Sequence, residues 1–512
     1  MDVVQTLRSI RWSKEPWGPP IISDEARELL EECKNITQPE VIDDVQEIIK
    51  RSDDFPIEFP IDTVRLKKLI TRRPIEKLKE NIRSTYPVLH ERVLILMANF
   101  LVYKRKYGSD IEKKLYERMS VVEFIDRILE KRSICFMSKQ DLYKLRTGEL
   151  GAGGWDNIGT PSEFPPLVLA DYLSYDELKV SALVTVSGPT TCINSGSRHN
   201  AGRVAEQNIQ TDAIIMGIIG PRFQRPGRMD CEDILITYEQ NRTEFGYGPI
   251  PTDGSATALQ MWRKLWADFY QIPSRTYSEV TSGAESIEEA TRDSRVLRAR
   301  YTRRPIGSDV FDAAAYSRRL ALLADVALLE ADARAAAAAA AAPHTAAFLN
   351  VVGAGLGVWR ISHHQEDLYV LTFLLRVLAL LEDGALNNVS DVNFAYIKLG
   401  EGVLPLFKSV EGSTVKKLFL ENEAHPKGGI SVQVENRDPS SALVGEHAGK
   451  LLVMTYAWDG NAHPGNEFWV GNLTSSGDPA AACSTQVSEL HAAAINPAVC
   501  GRNARRAAPM CL

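Results

Sequence analysis

Residues 348–397 constrain the fold more than any other part of the chain, reading FLNVVGAGLGVWRISHHQEDLYVLTFLLRVLALLEDGALNNVSDVNFAYI. An apolar run of strand length leads into the loop Gly353-Ala354-Gly355-Leu356-Gly357, and an amphipathic helix over about 362–381, a Gly/Asn turn and a second strand over 392–397 follow. That order is a βαβ crossover, which requires two parallel strands in one sheet with a helix packed on its face. Glycines between a strand and a helix N-terminus let main-chain N–H groups face a phosphate, assisted by the positive end of the helix dipole. The spacing is GxGxG, so the dinucleotide fingerprint GxGxxG fails, and no Lys-Ser/Thr follows to make a Walker loop. A phosphate cradle without nicotinamide chemistry remains.

The second informative stretch is 451–483, LLVMTYAWDGNAHPGNEFWVGNLTSSGDPAAAC. Its apolar start has the length and the β-branched and aromatic content of a buried strand. Asp459-Gly460-Asn461 and Pro464-Gly465-Asn466 then signal turns. Open α/β sheets bind ligands outside the carboxyl ends of their strands, where such polar loops sit. This loop carries three acids, Asp459, Glu467 and Asp478, beside Asn461 and Asn466. Two more strand candidates, 178–188 and 211–220, also run into polar loops. In the second of these, Arg222, Arg225 and Arg228 surround Phe223. That is either an aromatic platform with guanidinium groups for a base and phosphates, or a basic loop with Phe223 folded inward.

At 512 residues the chain exceeds what one core usually supports. Helical periodicity dominates from about residue 23 to 131, so the expected organisation is a helical N-terminal region over 1–135 and an α/β domain over 136–512. An alanine-rich stretch around 310–343, closing in eight alanines (335–342) before Pro343, reads as a long exposed helix or an insertion. A net charge of −7 gives no electrostatic footprint for nucleic acid, and the basic stretch 65–106 is interleaved with acids like a solvated helix face. Seven scattered cysteines without a CxxC pair fit reduced thiols. The N-terminus lacks the apolar region of a signal peptide, and the apolar run 93–103 is too short to span a bilayer. A soluble cytoplasmic or nuclear protein without membrane or nucleic-acid partners is expected.

Strand, glycine loop, helix, strand and then an apolar strand ending in WDGN resemble the diphosphate-loop half of a macrodomain, the α/β module that binds ADP-ribose. The resemblance is closest to the divergent MavL group, ADP-ribosyl hydrolases acting on arginine-ADP-ribosylated ubiquitin. It covers about 140–505 and is specific around 351–359 and 456–480. The fold it implies is a macrodomain-like mixed sheet flanked by helices. In that group an Asp, an Asn, an adjacent acid and a later Asp line the ribose end; here Asp459, Asn466, Glu467 and Asp478 stand at comparable spacing, with Glu467 replacing an expected Asp.

The resemblance implies ADP-ribose as ligand and an ADP-ribosylated protein, ubiquitin or a similar small protein, as partner, with no cofactor. The diphosphate would be cradled by Gly353, Gly355 and Gly357, with Leu356, Val358, Trp359 and Phe223 as further ligand contacts. Asn461 and Asn466 would orient ribose hydroxyls, and Asp459 would position the distal ribose and the leaving guanidinium. Glu467 and Asp478 would share water activation and proton transfer, since cleavage at an anomeric carbon passes through an oxocarbenium-like state. Three acids on one loop repel one another, which raises the pKa of one and suits it to act as acid. A reader that binds ADP-ribose without turnover and a scaffold acting through its helical N-terminus are the alternatives; the number of carboxylates favours the hydrolase. A metal site from Asp459, His463, Asp478 and His491 matches no recurrent ligand spacing. His363 and His364 are expected at solvent or at the ligand phosphates, and Cys483 has no evident His partner for a nucleophile's role.

Overall fold

The computed structural model describes the whole chain except residues 1–2, 14–16, 35–42, 294–297, 304–306, 341, 343–344 and 509–512. Its organising layer is a ten-stranded mixed sheet. In chain order the strands are β1 (Tyr86–His90), β2 (Thr185–Thr191), β3 (Asp212–Ile218), β4 (Ala347–Val352) and β5 (Val389–Ala395), then β6 (Lys408–Ser409), β7 (Lys416–Glu421), β8 (Gly429–Val434), β9 (Leu451–Ala457) and β10 (Arg505–Ala507). Across the sheet they lie β6-β7-β8-β5-β4-β9-β3-β2-β1-β10. The run β8-β5-β4-β9-β3 is parallel, while β7 and β2 continue it antiparallel on either side.

Parallel strands are covered on both faces, which is why β4 (AFLNVV) and β9 (LLVMTYA) are apolar apart from the buried Asn350 and Thr455. They are neighbours in register, Ala347 opposite Leu451 and Asn350 opposite Met454. The loops leaving their carboxyl ends therefore emerge side by side. The expected crossover is β4, the helix α1 (His364–Glu382) and β5, with the second strand starting at Val389 instead of residue 392. Residues 178–188 are not one strand: a Ser174/Glu177 capping box starts a helix over Tyr175–Ser181, and β2 begins at Thr185.

The alanine-rich segment is the largest correction. The helix Ala313–Ala339 is no exposed appendage; it packs against α1 and against β1, β3, β4, β5 and β9. Leu320, Ala324, Ala327, Leu328, Ala331 and Ala335 are fully buried. Small alanine side chains let the helix axis lie close to the sheet, where bulkier residues would hold it off. Asp312 caps its start, accepting hydrogen bonds from the Ala314 and Ala315 N–H groups. Arg319 crosses from this helix to Asp230 (3.0 Å) and to the carbonyls of Ala182 (3.0 Å) and Ile219 (2.9 Å). Pro343 lies outside the described residues.

Residues 1–135 carry the expected helices and also supply β1, which sits between β2 and β10 in the main sheet. One apolar cluster reaches from Leu7 to Val499. The basic stretch is not simply solvated, because Arg65, Arg92 and Lys104 are buried, Lys104 between Glu112 and Asp176. The described cysteines are free thiols, and Cys511 lies outside the described residues. Among the described residues no helix is long and apolar enough to cross a membrane.

If the alanine-rich helix is core, truncating its buried face is costly and loosening its exposed end is not. Leu328→Ala, at a fully buried position, is expected to lower the unfolding free energy by about 2–5 kcal/mol in denaturant titration. Ala336→Gly, at an exposed position, should cost about 1 kcal/mol. Equal small losses would return the helix to the surface.

Candidate active site

The site grows from the end of β9. Trp458 donates its backbone N–H to the Ile218 carbonyl of β3 (3.0 Å), and the chain then turns at Asp459. Asp459 is buried, and both carboxylate oxygens are engaged. Oδ1 accepts from the Asn461 N–H (3.1 Å) and Arg222 Nη1 (3.0 Å); Oδ2 accepts from Arg222 Nη1 (3.1 Å) and Asn466 Nδ2 (3.1 Å). The turn that brings Asn466 back needs left-handed backbone at Gly465 (φ +106°) and Asn466 (φ +31°), which glycine adopts freely and asparagine tolerates. The Asn466 amide also brackets Phe136, its Oδ1 accepting from Phe136 N (2.9 Å) and its Nδ2 donating to Phe136 O (3.2 Å). It is a brace between two chain segments, not the free ribose donor expected of it.

Asp478 lies at the start of the short helix Gly477–Ala482 and is 1% exposed. Its Oδ1 accepts from Gly465 N (2.7 Å) and its Oδ2 from Asp459 N (3.3 Å), so one carboxylate ties both ends of the acid loop. Glu467 is half-buried, and its hydrogen-bonding side-chain neighbour is Ser476 Oγ at 3.4 Å. All three acids are shifted upward. Burial raises Asp459, opposed chiefly by the Arg222 charge. Burial raises Glu467, with the Asp459 charge adding to it. Burial raises Asp478 well above the ordinary carboxylate range, and the Glu467 charge pushes further.

The glycine loop reaches this loop through the segment after β3. A Cβ on Gly220 would lie 2.2 Å from the Ala354 carbonyl carbon, and one on Gly355 (φ +75°) would lie 2.7 Å from the Pro221 oxygen, so the two loops touch backbone to backbone. The next residue, Arg222, carries the contact to Asp459. Its guanidinium lies 5.0 Å from the centroids of both Phe136 and Trp359. Gly355 and Asp459 thus sit just past the carboxyl ends of the adjacent central strands β4 and β9, joined by Pro221-Arg222. Within the glycine loop Gly353 is closed over by Leu356, whereas Gly357 and Val358 are open, Val358 at 85% exposure.

Several expected contacts are relocated. Phe223 does not face the site; it is 7% exposed and packs against Phe311 (6.0 Å) and Tyr316 (6.3 Å), because successive side chains of extended backbone point opposite ways. The aromatic faces at the acids are Phe136 and Trp359 instead. Arg225 and Arg228 both pair with Asp156. The first turn of α1 is not free for a phosphate: Gln365 Oε1 accepts from the N–H groups of Ile361 and Ser362, and Arg292 holds Glu366 and Asp367. His363 is exposed, but His364 is buried between Ser362 Oγ (2.8 Å) and Thr302 Oγ1 (3.2 Å), and burial pushes it down to about 4. His463 packs on Phe55 and His491 on Tyr456, each pushed down to about 3 by burial. Among the described residues no group of three or more His, Cys, Asp or Glu side chains is placed to hold a metal.

Two residues carried no signal in the sequence. Phe136 looks like any core aromatic until Asn466 is seen gripping its backbone. Arg132 is 1% exposed, stacks 4.2 Å from the Trp458 ring and donates to the Ser181 carbonyl (3.2 Å); burial pushes it down to about 9. Beside it the buried Asn461 Nδ2 has no hydrogen-bond partner among the described residues.

A family model described as ADP-ribosylhydrolase MavL-like matches residues 46–511. The chain belongs to this family. It is 36% identical over 503 residues, 97% of its length and 94% of the relative's, to a Drosophila melanogaster protein named ADP-ribosylarginine hydrolase CG2909. It is 37% identical over 475 residues, 91% of its length and 86% of the relative's, to another named ADP-ribosylarginine hydrolase CG3568. The acids of this ADP-ribosylhydrolase stand on the loop that follows the carboxyl end of β9.

The buried acid also sets a pH response in this hydrolase. A carboxyl whose folded pKa is raised binds its proton more tightly when folded, so its contribution is fully present below the unfolded value and is lost as pH rises through the folded one. For Asp478 that window opens at 3.8 and extends upward. Asp478→Asn is therefore expected to flatten the fall of Tm as pH rises from about 4 to 7, followed by scanning calorimetry. Parallel curves for wild type and variant would place the titration elsewhere.

Proposed function

We propose that this hydrolase removes ADP-ribose from arginine side chains of proteins by cleaving the bond between the anomeric carbon of the distal ribose and a guanidinium nitrogen. Water supplies the oxygen that bonds to that carbon and gives up a proton; the released guanidine takes one. The observation that carries this reading is the clustering of Asp459, Glu467 and Asp478, all shifted upward, on the loop that Arg222 holds. Both curated relatives bear the name of that activity.

The roles differ from those expected of the sequence at Asp459, Asp478, Asn466 and Phe223. Asp459 has both oxygens engaged by Arg222, Asn461 and Asn466, so it does not hold the leaving guanidinium. It acts as a fixed negative charge beside the developing oxocarbenium ion. Glu467, half-exposed and lightly bonded, is the acid/base that activates water and passes a proton. Asp478 braces the loop. The Asn461 amide is a buried donor for a ribose hydroxyl. The diphosphate lies along the open end of the glycine loop at Gly357, Val358 and Trp359, with Gly353, Gly355 and Leu356 shaping that bend.

The N-terminal region takes a supporting part, because Phe55 and Phe59 pack against Trp469 of the acid loop with ring centroids at 5.4 and 4.8 Å, the first tilted and the second edge-on. For the protein substrate we propose ubiquitin or a protein like it, on the resemblance of 351–359 and 456–480 to the group that acts on it.

The test is release of free ADP-ribose, followed chromatographically, from arginine-ADP-ribosylated ubiquitin and from free ADP-ribosylarginine. Glu467→Gln is expected to lower kcat by about 10²–10⁴-fold while calorimetry shows ADP-ribose binding retained. Full activity in that variant would remove Glu467 from the reaction. No release from either substrate by the wild-type protein, with binding intact, would make it a reader.

A further inference from the structure

Arg222 is held at its backbone N–H and at both terminal guanidinium nitrogens. Its backbone N–H donates to Asp230 Oδ2 (2.8 Å), and Asp230 Oδ1 in turn receives Arg319 Nε (3.0 Å) from the central alanine-rich helix. Its Nη2 donates to Gln224 Oε1 (2.9 Å), and its Nη1 donates to both oxygens of Asp459. The guanidinium plane is flanked by Phe136, which Asn466 holds, and by Trp359, which belongs to the glycine loop. Asp459, Phe136 and Trp359 come from three distant segments and Gln224 and Asp230 from the loop that follows, and all converge on a 2%-exposed cation.

We propose that Arg222 is a positioning residue of the hydrolase: it clamps Asp459 in place as a carboxylate and, through Trp359, links that clamp to the glycine loop. This deepens the functional reading above and rests on it. Two features separate it from a plain core ion pair. One of its covers, Trp359, adjoins the 85%-exposed Val358 at the open end of the proposed diphosphate bend, so ligand packs against the same loop that caps the cation. And the anion it holds is not alone. Asp459 is faced by Arg222 from the segment after β3, by Arg132 and Cys135 from the 132–135 segment, by Glu467 from its own loop and by Asp478 from the following helix. Arg132 is turned onto Trp458 and lies within reach of Asp459 only through space, so Arg222 is the cation in hydrogen-bond contact with it. With Asp459 held charged, a proton entering the cluster goes to Glu467 or Asp478. Arginine is suited to the task where lysine is not, because a planar fork fits between two rings and against a carboxylate at once.

The experiment compares Arg222→Gln and Arg222→Lys with wild type in ADP-ribose release from ADP-ribosylarginine, in ADP-ribose calorimetry and across pH. Wild-type release tests the functional reading by itself. Given release, Arg222→Gln is expected to lower kcat by about 10²–10³-fold with a smaller change in KM. Removing the neighbouring cation raises the Asp459 pKa, so the acidic limb of the kcat profile should move to higher pH by about 1–3 units. Arg222→Lys should restore the position of that limb but not the full kcat. A limb that stays put in Arg222→Gln, or a lysine variant equal to wild type in kcat, overturns the proposal. Where Arg222→Gln fails to fold, or the wild-type protein releases nothing, a thermal-unfolding cycle of Arg222→Lys with Asp459→Asn decides. Losses in Tm that do not add support the clamp, and fully additive losses overturn it.

Discussion

The pairing of Arg222 with Asp459 is the contact on which the site's geometry depends. Two unit charges at about 3 Å with an effective dielectric near 20 attract by roughly 5 kcal/mol, while removing each ion from water costs several kcal/mol. The two effects nearly cancel, so the pair is a poor source of stability. What it does supply is uniqueness. A buried Asp459 without its cation would be an uncompensated charge, and the arrangements of the 458–466 turn, the Gly220–Arg222 bend and the 353–359 loop that separate the two are excluded together. A site that must hold several loop segments in one register is where such a costly contact is worth retaining.

Much of this was legible in the chain itself, for a physical reason. Parallel strands buried on both faces leave near-continuous apolar runs, and the loops after them leave Gly, Asn and Asp, so β4, α1, β5 and β9 and the two loops at their ends could be read directly. Other features were illegible because they depend on partners far away in sequence. Residues 335–342 are all alanine, and composition cannot say whether a helix of small side chains faces water or lies close against a sheet. The strand Tyr86–His90 has a Pro at its second position and earns its place only because Thr185–Thr191 and Arg505–Ala507 flank it. Arg222 and Phe223 show the sharpest limit. Both are visible as candidates, but which of two adjacent side chains turns to Asp459 and which folds into the core is set by the phase of the backbone leaving β3, and the inward-folded alternative for Phe223 is the one the structure shows.

The glycines of the 353–357 loop also meet a need that a phosphate motif does not express. A GxGxG bend before a helix suggests phosphate on the helix N-terminus. Here six residues separate Gly357 from the start of α1 at His364, and that first turn is already occupied by Gln365, Glu366 and Asp367 with their own partners. The glycines at 220 and 355 serve a different need, since any side chain there would collide with the facing backbone. Their absence of side chains lets one loop lie on another, and that contact brings Trp359 over Arg222.

In the proposed mechanism, side-chain length separates the roles of the three acids. Asp459 and Asp478 have a single methylene, and their carboxylates stay within the loop, where backbone N–H groups at Asn461, Gly465 and Asp459 reach them. Glu467 is one methylene longer and stands at a half-buried position where the nearby Ser476 hydroxyl is its weak partner. A general acid/base has to approach its substrate, exchange a proton and return, which a carboxylate anchored by two backbone donors does poorly and a longer, lightly held one does well. The replacement of an expected aspartate by glutamate at this position therefore keeps the charge and gains reach, while the two shorter acids hold the frame in which that reach is useful.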